Sequence, residues 1–538
     1  MPPPRPTPTS QATLRSEESP LRVKSRAIWV FVAFLLPFAV LAGRHWSWDP
    51  PTGSGDYAQY LSHARALVEG RPYTDIGYLW HPAAPMVGPR AYPPGLPLTL
   101  APIVAVAGVH SPLNRLLMLA TVVLFAVLAY RRLALAMAPW QAAIAVGFSA
   151  MAVESRFGTL VPLSDVGLCA LIWATVLAVD SATTWTWRRI ALVTALGFAA
   201  MAYRVAGIAL VPALMLCAAL TWPRHRGRAL VPALIWSATG LTAIVSHRIE
   251  LPFASMLVPR LPDIADRIGN VFRIYPLGAL GAQLYPFGGD LPNDIYHVVA
   301  SVIMGIGALA LLWRYRRTML TSLVVMYSLL LVASPAINDR YLWPLLPVLA
   351  GGLVVGVSTV WRSAVTRMGR PSLAPVLTTA TFALIAIGSL AREMRVPAPP
   401  SDHRQPERLA LFDWLRQKHQ RERIRVVYSN PRVLTLETRV PAMPAIFARP
   451  SHHLSAMYDR KITHMVWPKT TPTECRARLL HELPALFPDR FVLDYENALY
   501  RVYRLVNAGQ PIPTLDGYEP AWGRGRCNPG RDARDPER

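Results

Sequence analysis

The chain has 538 residues, 52% of them hydrophobic and only 16% charged, with a mean hydropathy of +0.28. Soluble domains carry nearer a quarter charged residues, so a water-soluble body is excluded and the membrane class remains. The formal net charge of +23 does not mark a nucleic-acid binder, because the basic residues fall in short clusters between apolar runs rather than as a stripe interleaved with aromatics on a soluble module.

In chain order, residues 1–26 are rich in Pro, Ser, Thr and Arg and read as a disordered cytoplasmic N-terminus. Arg22, Lys24 and Arg26 then precede an apolar run, Ala27 to Gly43, with no small-residue cleavage site after it. That pattern predicts an uncleaved first helix with its N-terminus inside. The first external loop is placed at 45–94. Trp46 and Trp48 read as an interfacial belt. Asp56 to Glu69 has the spacing of a surface helix, with Tyr57, Tyr60, Leu61, Ala64 and Leu67 on its apolar side. The run 95–109 opens with Pro-Pro-Gly and is broken by Pro97 and Pro102, so it reads as a re-entrant or interfacial element.

Further spans are predicted at 113–130, 139–153, 164–180, 189–203, 205–221, 229–247, 296–313, 319–334, 341–361 and 373–390, giving about eleven transmembrane helices. A second external loop falls at 248–295. Pro397 to Pro400 form a linker to a soluble α/β unit at 401–507. Its predicted elements are a helix at 405–419, strands at 424–428 and 462–467, a helix at 474–486, and a hairpin of 490–495 with 498–505 turning at Glu496-Asn497. Residues 508–538 read as a disordered tail. The predicted fold class is thus an all-α polytopic membrane bundle of residues 27–395 with a small C-terminal α/β soluble domain.

Charge sets the expected orientation. If 95–109 does not cross, the connections holding Arg131-Arg132, Arg188-Arg189, Arg224/Arg226/Arg228, Arg314/Arg316/Arg317 and Arg362/Arg367/Arg370 all face the cytoplasm, and the opposite short loops hold single arginines at Arg156, Arg204 and Arg340. If it crosses, the bias inverts. The positive-inside rule therefore predicts a C-terminal unit outside the cytoplasmic membrane. Cys169 and Cys217 lie in predicted spans and read as small core residues. Cys475 and Cys527 lie in the external region, where they could pair.

The residues that could carry chemistry share the external face. Asp56 follows the first span in Gly53-Ser54-Gly55-Asp56-Tyr57-Ala58-Gln59-Tyr60, and Tyr92-Pro93-Pro94-Gly95 closes the loop. Ser164-Asp165 opens a later span, and Asn338-Asp339-Arg340-Tyr341 precedes Trp343-Pro344-Leu345-Leu346-Pro347. A carboxylate at the membrane face is costly unless it has a partner or a task. In order and sidedness these motifs resemble the GT-C superfamily of membrane glycosyltransferases. They are similar to the branch containing protein O-mannosyltransferases and the lipid A aminoarabinose transferases. Phe412-Asp413-Trp414-Leu415 and the closing Tyr495 to Tyr503 segment are similar to the soluble tail of bacterial members.

The resemblance implies an inverting transfer of a sugar from a polyprenyl-phosphate donor to a lipid, glycan or protein acceptor, with Asp56 as general base. The departing phosphate needs cationic stabilisation, for which Arg340, Arg90 and Arg204 are the candidates. Tyr57, Tyr60, Tyr92, Asp165 and Tyr341 complete the candidate site. The family branch has a lysine where this chain has Tyr92, so that residue's phosphate role does not carry over. No metal ligand is assigned. A divalent metal stays open as a cofactor, although Asp56 is followed by Tyr57 and not by a second acid, and His81 stands alone. Plainer structural roles also fit these positions: Asp56 or Asp165 as helix caps, Arg340 as an interfacial anchor or a partner of Asp339. Eleven spans also suit a transporter or lipid flippase, which would place charged residues mid-span, and none is evident there.

Overall fold

The computed structural model describes residues 20–46, 55–82, 84, 87–157, 161–225, 228, 230–245, 290–333, 339–395, 405–446, 449–469 and 475–513. Most of the predicted second external loop, and Cys527 with its suggested pairing, lie outside these residues.

Helix α1 (Pro20–His45) contains the first predicted span, and α2 (Asp56–Val68) is the helix expected after it, but it does not lie on the surface: ten of its residues, from Asp56 to Ala66 on every side, are buried, because the C-terminal unit covers the face that the bundle leaves open. Helix α3 (Gly95–Ala107) is the proline-containing run, and it stays helical through Pro102. Then follow α4 (Pro112–Leu133), α5 (Pro139–Phe157), α6 (Ser164–Asp180), α7 (Trp187–Tyr203), α8 (Leu210–His225) and α9 (Leu230–Val245). The bundle continues with α10 (Asp290–Arg314), α11 (Met319–Ala333), α12 (Leu346–Arg367) and α13 (Ala374–Arg395). Among the described residues four stretches are long and apolar enough to cross a membrane, Ile28–His45, Pro112–Leu133, Arg340–Arg367 and Pro371–Arg395, fewer than the eleven expected; the other apolar helices found there are shorter. The outward faces fit lipid rather than water, with Ile306, Leu309, Leu384 and Ile387 all more than 60% exposed. The chain is a membrane protein. Lipid offers no hydrophobic drive between helices, so small residues let backbones approach. Gly352 of α12 does this, since a methyl there would meet Ala308 N of α10 at 2.5 Å.

Polar contacts show which helix ends lie together. At one end, Arg132 Nε donates to Asp180 Oδ2 at 2.6 Å, and Asp180 Oδ1 accepts from Met319 N at 2.6 Å. This joins the ends of α4 and α6 to the start of α11, beside the arginine-rich connections. At the opposite end Arg44 Nη1 donates to the Glu393 carbonyl at 2.5 Å, so α1 and α13 finish together. Helix α3 starts at this second end, where Gly95 abuts the Ala202 backbone. It also finishes there, because His110 after it lies 3.4 Å from Glu437 of the C-terminal unit. Thirteen helical residues span about 20 Å, short of the roughly 30 Å hydrocarbon core.

The C-terminal unit contains α14 (Pro406–Glu422), β1 (Val426–Tyr428), α15 (Pro431–Thr438), β2 (Ala442–Pro444), α16 (Pro450–Asp459), β3 (His464–Pro468), α17 (Cys475–Leu486), β4 (Phe491–Glu496) and β5 (Tyr500–Leu505). Helices α15 and α16 and strand β2 were not anticipated from sequence. The sheet order is β2-β1-β3-β5-β4, with β1 parallel to both neighbours and β5 antiparallel to β3 and β4. The first loop of the bundle adds itself to the β2 edge. Leu79 N donates to the Ala442 carbonyl at 2.8 Å, and Ala442 N to the Gly77 carbonyl at 2.9 Å. Ile76, Tyr78, Ala84 and Val87 of that loop are buried in one cluster with Val427, Met443, Leu454 and Met465.

Candidate functional site

Asp56 stands in the first turn of α2, but it is not the cap: Gly55 takes that position and makes no side-chain cap bond. The carboxylate turns into the protein instead. Arg340 Nη2 donates to its Oδ2 at 2.6 Å, while Arg432 Nη1 and Tyr92 Oη each donate to its Oδ1 at 2.7 Å. Arg340 is delivered by the 3-10 turn Asp339–Leu345, in which Pro344 and the nearby Pro347 disfavour a regular helix. The turn is pinned from α6, whose buried Trp173 Nε1–H donates to the Pro344 carbonyl at 3.0 Å.

Burial alone would raise the Asp56 carboxyl, but Arg340 and Arg432 outweigh it and hold it well below the usual carboxylate range. Burial pushes the Tyr92 phenol up, and Asp56 adds to this, so Tyr92 stays a donor. Below them His63 is fully buried. Its Nδ1 lies 2.8 Å from the Tyr73 carbonyl and its Nε2 faces Tyr92 N at 3.4 Å, which fits a neutral ring protonated at Nδ1. Burial pushes that imidazole down to about 4.

A second ion pair adjoins the first. Asp165 Oδ2 lies 2.7 Å from Arg204 Nη1, and Arg204 Nη1 also reaches Ser164 Oγ at 3.4 Å. Leu163, not Asp165, occupies the cap of α6. Tyr60 links the two pairs: its hydroxyl is 2.7 Å from Ser164 Oγ, and its ring stacks on Tyr92 at 4.6 Å. The Tyr341 ring carries Arg204 at 4.8 Å and Arg340 at 5.8 Å, within cation–π range. The fold therefore brings together Asp56, Arg340, Arg204, Tyr60, Tyr92, Asp165 and Tyr341. Tyr57 is buried beside them on α2. Arg90 is exposed and stays outside this network among the described contacts. Arg340 contacts Asp56 across 284 positions.

Arg432 is the residue that sequence reasoning missed. Asn430-Pro431 is a legible helix start, and Asn430 Oδ1 does accept from Val433 N at 3.4 Å. Nothing local says that the next side chain reaches a carboxylate 376 positions away. Two glycines clear its path. A methyl at Gly55 would lie 2.6 Å from Arg432 Nε, and one at Gly88 2.5 Å from Arg432 Nη1. Gly88 also has φ +135°, a backbone region that side-chain-bearing residues rarely adopt.

No protein-family model matches the sequence, and no curated protein matches it. Solved structures do match. The apo crystal structure of ArnT from Cupriavidus metallidurans aligns with a TM-score of 0.51 at 13% identity, over 88% of this chain and 98% of that one. This chain shares the fold of ArnT. An Archaeoglobus fulgidus oligosaccharyltransferase tethered to an acceptor peptide gives 0.49 at 13% identity, over 91% and 75% of the two chains. ArnT bound to undecaprenyl phosphate gives 0.47 at 14% identity, over 91% and 99%. The ArnT-like architecture is the one that the GT-C resemblance implies.

The donor set at Asp56 does not suit a divalent metal. Both of its oxygens are taken by guanidiniums or a phenol, and Asp165 faces Arg204. Among the described residues no three His, Cys, Asp or Glu side chains converge. The arrangement can hold an anion among cations, and it can offer a carboxylate to a proton.

Proposed function

We propose that this chain is an integral-membrane glycosyltransferase that moves a sugar from a polyprenyl-phosphate donor to an acceptor hydroxyl at the outer face of the cytoplasmic membrane. The observation that carries this reading is the Asp56 carboxylate held between Arg340, Arg432 and Tyr92, at the bundle end where the soluble unit sits. The joined ends of α1 and α13, and the return of α3 to the same end, support an odd number of crossings with the soluble unit outside.

In the reaction Asp56 accepts the acceptor's hydroxyl proton as its oxygen bonds to the anomeric carbon, and the bond from that carbon to the phosphate oxygen breaks. The electron pair leaves with the polyprenyl phosphate, whose charge the guanidinium of Arg340 stabilises. The Asp165–Arg204 pair, through Ser164 and Tyr60, positions the wall facing Asp56. A single displacement with one base inverts the anomeric centre.

The test is comparative mass spectrometry of envelope lipids and glycans from cells with and without the gene, paired with transfer of labelled sugar by the purified protein in detergent. A missing sugar unit and transfer without compartments support the reading. Unchanged envelopes with no transfer from any polyprenyl-phosphate sugar would remove it.

A further inference from the structure

We infer that the soluble domain completes the active site: Arg432 on α15 is a ligand of the donor's phosphate, and it leaves Asp56 to take that role. The inference rests on the glycosyltransferase reading above.

Three observations carry it. First, Arg432 is built in rather than lying there by chance. It is 7% exposed and reaches Asp56, Gln59 and Tyr92 through one nitrogen, at 2.7, 3.2 and 3.2 Å. Gly55 and Gly88 are both small where the guanidinium passes. Second, its bonding is incomplete. Nε is buried without a hydrogen-bond partner among the described residues, and the carboxylate it holds is shared with Arg340. A guanidinium presents five donors and is best satisfied by a planar or tetrahedral oxyanion, which a phosphate with several free oxygens supplies. Third, helix α15 is fastened to α2 at the same place. Arg65 Nη1 donates to the Leu436 carbonyl at 3.0 Å, and Arg439 Nη2 to Glu69 at 2.7 Å. The domain thus holds Arg432 in register with the base.

The chemistry gives the exchange a purpose. A carboxylate gripped by two guanidiniums and a phenol has few lone pairs left for a proton. When an incoming phosphate draws Arg432 away, Asp56 Oδ1 is released towards the acceptor. Base activation then follows donor arrival, which protects against proton uptake in an empty site.

The experiment is binding of undecaprenyl phosphate, against undecaprenol as control, to the full-length protein in nanodiscs, by native mass spectrometry. The wild type should prefer the phosphate. Arg432→Met should bind it about tenfold or more weakly, the loss expected for one charge-assisted hydrogen bond, with Arg432→Lys between. Gly55→Ala, whose methyl displaces the guanidinium without touching its charge, should weaken binding in the same direction. Undiminished phosphate binding by folded Arg432→Met overturns the inference while leaving the transferase reading intact. A wild type that does not distinguish phosphate from alcohol overturns both. If Arg432→Met fails to fold, hydrogen exchange of the wild type decides. The amides of 432–439 should exchange at a changed rate with the phosphate and not with the alcohol; no change overturns the inference.

Discussion

At Asp56 three donors meet one carboxylate, and the balance of burial against charge decides its protonation. The side chain is ionised in the unliganded protein, so as a base it would need no prior deprotonation, only a free lone pair. Asp56→Asn keeps the size and two of the hydrogen-bonding options but cannot take a proton. Transfer should fall by about 10²–10⁴-fold, the usual weight of a general base, while the protein remains inserted and monodisperse by size-exclusion chromatography. His63 makes a separate prediction. Its folded value is about 4 against 6.5 for the free side chain, so between those values the unfolded chain binds more protons than the folded one. Stability therefore falls as pH drops through that window, by up to on the order of 3 kcal/mol. Thermal midpoints measured from pH 7 to pH 4 should decline for the wild type and decline less for His63→Gln. Equal slopes would show that His63 does not titrate as its burial requires.

Among elements, the two ends of the bundle use charge differently. At the end away from Asp56, Asp180 accepts from Arg132 and also from Met319 N and Leu320 N, capping α11 from another helix. Both side chains are nearly inaccessible, at 2% and 6%. Asp180→Ala leaves the guanidinium buried without its carboxylate, which costs about 3–5 kcal/mol. The expected result is a lowered thermal midpoint with transfer per folded molecule unchanged. At the Asp56 end the short elements matter most. Gly88→Ala both strains a backbone at φ +135° and drives a methyl towards Arg432, so it should reduce transfer by more than its stability loss of about 1–3 kcal/mol explains. The Asn-Pro start of α15 could be read from sequence. The three residues of β2, ending in Pro444, are too few to show an alternating pattern.

Over the whole molecule, the C-terminal unit and the first long loop share a core. Leu454 is fully buried in the cluster that also holds Ile76, Tyr78 and Val87. Leu454→Ala should cost about 2–5 kcal/mol and speed amide exchange at Leu79 as well as at Ala442. A response confined to the sheet would show that the two regions are held separately. The linker expected at Pro397 to Pro400 lies outside the described residues. In space the loop closes the sheet edge, and α15 lies on α2.

By itself the sequence determined the membrane class, the order of the helices, the small α/β unit and most of the charged residues that the fold gathers around Asp56. These follow from local quantities: hydropathy over a helix length, proline and glycine at turns, and ionisable groups that would be costly near a bilayer without a task. Only the tertiary structure decided that Asp56 is gripped from three sides, that Arg90 stays out while Arg432 comes in, and that α3 begins and ends at one face. Each of those depends on side chains hundreds of positions apart meeting in a site shielded from solvent. There one desolvated contact outweighs any propensity that the neighbouring residues express.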